Sequence, residues 1–101
     1  MTTALALARW YGVVVRFAEL GEWGDHELRA EYDPSVPEIR LNIAVAARLS
    51  RDALGEFVSL AVGHELYHHR ESIEEIVRLA SRSARESAAD IFARQLLERS
   101  S

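Results

Sequence analysis

The sequence has 101 residues, 49 % of them hydrophobic, with a formal net charge of −4 and no Cys. That length fits one domain spanning residues 1–101, and the acidic balance argues against a nucleic-acid-binding surface. Without Cys, both a disulfide framework and thiolate metal ligation are excluded, so any bound metal must be held by nitrogen and oxygen. All twelve basic residues are Arg, scattered rather than clustered. No apolar run approaches a membrane span, and the first nine residues lack the positive start of a signal peptide. The expected location is therefore the cytoplasm, with no membrane partner.

Thr2 or Thr3 can cap a first helix reaching about Tyr11, where Gly12 breaks it. Val13 to Leu20 is rich in β-branched residues and reads as a strand; Gly21, Gly24 and Asp25 mark a loop. Glu27 to Tyr32 reads as a second strand and Asp33-Pro34-Ser35-Val36-Pro37 as a turn. Glu38 to Ile43 reads as a third strand, with Ile39, Leu41 and Ile43 on one face and Glu38, Arg40 and Asn42 toward solvent. Together these predict a hairpin in a small antiparallel sheet. Ser50 can cap a long helix to about Glu71, whose apolar residues, from Leu54 to Leu66, surround most of its circumference and mark it as buried. Ser72-Ile73-Glu74-Glu75 has the form of a capping box that would restart a helix, and a last helix is expected from about Ala84 to Glu98.

His64-Glu65-Leu66-Tyr67-His68 falls in the second half of the long helix. Residues four apart lie one turn above each other, so His64 and His68 aim two imidazoles at one point. Such a pair can hold zinc, and Glu65 beside it can take a proton from a water that the metal has made acidic. The competing reading is an ordinary surface pair of histidines. A chance match to H-E-x-x-H in a chain of this composition has odds of roughly 2 %, and burial of the helix weighs further against the surface reading.

A catalytic zinc site needs a third protein ligand, which here must be a carboxylate. Glu71, Glu74 and Glu75 follow too closely to double back on the same rod. Glu86 lies 18 residues after His68 and shares a helical face with Asp90, four positions on. One of the two could ligate the metal while the other accepts a proton from a ligand histidine. The competing reading for Glu86 is a capping box, Ser83-Ala84-Arg85-Glu86, and for Asp90 a solvated helix face. Tyr67, His69, His26 and Tyr32 are candidates for stabilising an oxyanion. Tyr67 reads better as packing, His69 as a surface residue or a support to the site, and His26 as solvated.

H-E-x-x-H followed by E-x-x-x-D resembles the gluzincin pattern. More closely, the chain resembles a compact ImmA/IrrE-type metallopeptidase domain, of minigluzincin size, over roughly residues 4 to 97. The resemblance rests on Ala61 through His68, on Glu86 through Leu97, and on Tyr32-Asp33-Pro34 leading into Ile39-Arg40-Leu41-Asn42. It implies an α+β, zincin-like fold, with the sheet packed on the His64–His68 helix and a C-terminal ligand helix. It implies Zn2+ as cofactor, His64, His68 and Glu86 as its ligands, Glu65 as general base and Asp90 as the residue orienting a ligand histidine. The implied activity is hydrolysis of peptide bonds in a protein or peptide substrate, with a transcriptional repressor as the implied target class. The alternative is a non-catalytic or latent zinc-binding domain that docks a protein regulator. The Glu38 to Ile43 strand, if it is a sheet edge, could take an extended peptide as an added strand.

Overall fold

Thr3 opens the first helix, α1 (Ala4–Tyr11), by accepting a hydrogen bond at its hydroxyl from the Ala6 amide, 3.1 Å away. Gly12 closes it at φ +74°, a left-handed conformation that only glycine adopts without strain. The computed structural model describes residues 3–23 and 26–100, with the backbone alone at residues 22, 23, 26 and 27. After α1 come β1 (Val14–Ala18), β2 (Glu22–Trp23), β3 (His26–Glu27), β4 (Ala30–Asp33) and β5 (Glu38–Asn42). The helices α2 (Ile43–Ala46), α3 (Arg51–Ser72) and α4 (Arg82–Ser100) follow. The fold is α+β, as the sequence predicts.

The sheet departs from the expectation in two ways. It is mixed rather than antiparallel: the order is β1-β5-β4, with β1 parallel and β4 antiparallel to β5. The Glu38–Asn42 strand is consequently central, paired on both sides, and cannot take a peptide as an added strand. Burial accounts for that position, because Ile39 and Leu41 are at most 1 % exposed and a central strand buries more than an edge. Its outer face is also less open than its polar residues suggest. Glu38 is buried between Arg16 of β1, 2.6 Å away, and Arg40 of its own strand, which in turn pairs with Glu31 of β4. Asn42 donates from its amide to the Leu28 carbonyl at 2.7 Å and accepts from the Ala44 amide, which ends the strand and starts α2. Ile43 therefore leaves the inner face of the strand and is exposed. The strand expected over Glu27–Tyr32 is split, since residues 28 and 29 turn their carbonyls toward Asn42.

Helix α3 begins at the predicted cap, where Ser50 accepts from the Ala53 amide. It ends at Ser72, and no helix restarts there. Glu75 does not reach back to Ser72 as a capping box requires; its carboxylate is taken by Tyr11 and by Arg70. Helix α4 starts at Arg82, two residues earlier than expected, because Ser81 rather than Ser83 accepts from the first-turn amide of Ala84, 3.0 Å away.

The core lies between the sheet and these two helices, around Ile39, Leu41, Phe57, Val62 and Leu66. Each such side chain contributes about 1.5–3 kcal/mol by leaving water. The contact that matters most for the site is between Gly63 and Ala93. A Cβ on Gly63 would stand 2.9 Å from the Ala93 Cα, so the close approach of α4 to α3 requires glycine beside His64. Among the described residues no helix is long and apolar enough to cross a membrane.

Candidate metal centre

The close α3–α4 contact sets the residues of α4 against the His64–His68 face of α3. His64 and His68 stand one turn apart with ring centroids 5.1 Å from each other. Glu86 comes down between them from the first turns of α4. Its Oε2 lies 2.7 Å from Nε2 of His64 and 3.4 Å from Nε2 of His68. Glu86 is thus not engaged in closing a capping box, and Ser83 sits inside the helix.

The opposite nitrogens are held as well. Nδ1 of His64 donates to Asp90 and Nδ1 of His68 donates to Glu71, each at 2.7 Å. With the Nδ1 side of each ring held in this way, both Nε2 atoms face the Glu86 carboxylate. Carboxylate–imidazole pairs of this kind fix tautomer and ring orientation at metal sites.

By chemistry and by spacing, the three facing atoms could hold a divalent metal ion. Two imidazole nitrogens and one carboxylate oxygen lie within 4.8 Å of one another. Tetrahedral ligands with bonds near 2.0–2.1 Å sit roughly 3.3 Å apart, and the contacts of 2.7 and 3.4 Å bracket that value.

Glu65 lies beside this group without a fixed partner among the described residues. Burial pushes its carboxyl above the usual range, against the pull of His64 and His68. Burial works against the charged form of His64, but its hydrogen bond to Asp90 and the nearby carboxylates outweigh that and raise its pKa. Both His64 and Glu65 open onto a cleft of about 390 Å³ that is also walled by Arg29, Leu60, Asp90 and Arg94.

Of the oxyanion candidates, three are engaged elsewhere. Tyr67 packs on Phe92, with ring centroids 6.2 Å apart. His69 is buried rather than at the surface, and its Nδ1 shares a 2.7 Å hydrogen bond with the Tyr32 hydroxyl, which also meets Ser72. Burial holds His69 below its ordinary pKa. The side chain of His26 lies outside the described residues.

Sequence reasoning set Glu71 aside as too near His68 to be a ligand, and so missed its place behind the site. Its side chain is 3 % exposed and meets Arg85 of α4 through two contacts, at 3.0 and 3.1 Å. The i,i+3 spacing from His68 was the available signal. Arg85 above all, and His68 with it, holds the Glu71 carboxyl below the usual range. A lowered folded-state pKa contributes stability at pH values above the unfolded one and loses it as pH falls through the folded value. Glu71→Gln should therefore flatten the acid side of the metal-free protein's unfolding profile, measured with urea. The same variant should weaken metal binding about 10- to 100-fold, because His68 loses its anchor.

No family model matches the chain, and neither a curated protein nor a solved structure matches it.

Proposed function

We propose that the chain is a zinc-dependent metalloendopeptidase, with His64, His68 and Glu86 as the metal ligands and Glu65 as the general base. One observation carries this reading: two imidazole Nε2 atoms and a carboxylate oxygen converge, each imidazole is braced by a second carboxylate, and a half-buried acid stands beside them at a cleft. A purely structural ion-pair cluster does not need Glu65 there. The resemblance to compact ImmA/IrrE-type gluzincins, with their zincin-like packing, points the same way and implies a regulatory protein, such as a transcriptional repressor, as substrate.

Bound zinc would polarise the scissile carbonyl and make the attacking water acidic near neutral pH. Glu65 accepts the proton of that water and delivers it to the leaving amine, a task suited to a carboxylate whose pKa is raised by burial. Asp90 and Glu71 keep the Nδ1 protons of His64 and His68 in place, so that neither ring turns during the reaction. An extended peptide would lie along β4, which no strand other than β5 pairs among the described residues and whose first residue, Ala30, lines the cleft.

The test is a zinc titration of the metal-free protein combined with cleavage of a quenched-fluorescent peptide library. One equivalent of zinc should bind and should restore cleavage that a chelator abolishes. Failure to bind zinc stoichiometrically, or binding without any cleavage, would overturn the peptidase reading.

A further inference from the structure

We infer that the end of the cleft remote from Glu86 is a carboxylate-binding subsite formed by Arg29 and Arg94. Resting on the peptidase reading, this directs the enzyme toward peptides that carry a carboxylate next to the scissile bond.

The cleft runs along α3 from His64 and Glu65 back to Leu60 and Ala61, one helical turn earlier. One turn is about 5.4 Å of helix axis, roughly the advance of one or two residues of an extended peptide. At that end the two walls present cations. Arg29 approaches from the segment leading into β4, and Arg94 stands on α4 one turn beyond Asp90, on the same helical face. The floor between them is Leu60 with the small residues Ala61 and Ala93.

Among the arginines, Arg29 and Arg94 are the two that line the cleft. Arg16, Arg40, Arg70 and Arg85 are each matched to a carboxylate. Neither Arg29 nor Arg94 has a carboxylate partner among the described residues, although the chain carries a net charge of −4. Both are exposed. The Arg29 guanidinium lies over the Phe57 ring, 5.2 Å from its centroid, which orients the group while leaving its N–H edge to donate. A guanidinium edge matches a carboxylate with two parallel hydrogen bonds, and the cleft carries two such groups in its lining. The carboxylate can come from an Asp or Glu side chain or from the end of the peptide chain.

Zinc-loaded protein should be assayed with peptides differing only as Glu against Gln at the positions flanking the bond, and as free acid against amide at the C-terminus. Binding of the same peptides to zinc-loaded Glu65→Gln protein gives a readout independent of cleavage. A carboxylate peptide should bind about tenfold more tightly than its neutral counterpart, and Arg29→Gln/Arg94→Gln should erase that preference. A preference for the side-chain acid assigns that source, and a preference for the free acid over the amide assigns the chain end. Equal binding of acidic and neutral peptides to protein with both arginines intact overturns the subsite. So does a preference that survives in the double variant or in either single variant paired with added salt. Cleavage without preference sinks the subsite alone, whereas preference without cleavage leaves the subsite standing and sinks the peptidase reading.

Discussion

Glu86→Ala should weaken zinc binding by about two to three orders of magnitude while leaving the protein folded. A structural zinc site is worth about 10–16 kcal/mol over four ligands, so one ligand carries roughly 2.5–4 kcal/mol, and each 1.4 kcal/mol is tenfold. The side chain of Glu86 is 44 % exposed, and Ala is the better helix former, so little stability is at stake in its removal. The two histidines would keep their Asp90 and Glu71 partners and present an incomplete pair of nitrogens. Competition with a chromogenic chelator measures the affinity, and circular dichroism checks the fold. A variant that holds zinc as tightly as the parent chain would show that Glu86 is only an ion-pair partner of His64. In that case the contact at 2.7 Å reflects a protonated imidazole and not a ligand set.

The residues that could be placed from sequence are those whose geometry is local to one helix. His64 and His68 share a face by spacing alone, and so do Glu86 and Asp90; the structure sets the two pairs against each other. What brings them together was less legible. The absence of a Cβ at Gly63 lets α4 approach, and a lone glycine inside a helical pattern does not announce its neighbour. Alternation along Glu38–Asn42 marks Ile39 and Leu41 as buried but shows neither the burial of Glu38 and Asn42 nor the strand's partners, because pairing with β1 is a contact 24 positions apart in the chain. The Ser72–Glu75 box failed for a related reason. Local sequence offers Glu75 one partner, but the fold brings Tyr11 from 64 residues away and Arg70 competes as well. Glu71 had a local signal in its spacing from His68, yet its brace, Arg85, arrives only when the helices pack. Short-range rules thus fixed which side chains can converge, and long-range packing decided that they do.

Glu65→Gln separates chemistry from metal binding. The substitution keeps the size and burial of the side chain and removes its ability to accept a proton. Loss of a general base typically costs 10²–10⁴-fold in rate, so kcat should fall by about that factor. Glu65 is not within the group of converging donor atoms, so zinc affinity should change little. Stability of the metal-free protein should hold or rise slightly, since burial disfavours the charged carboxylate that is removed. The measurements are zinc content, urea unfolding and single-turnover cleavage of one peptide by both proteins. A Glu65→Gln protein that binds zinc normally and still cleaves at the parent rate would remove Glu65 from the mechanism and leave the proton transfer to another group at the cleft. A parent protein with the same negligible cleavage as the variant, both fully zinc-loaded, would instead favour the latent, regulator-docking alternative.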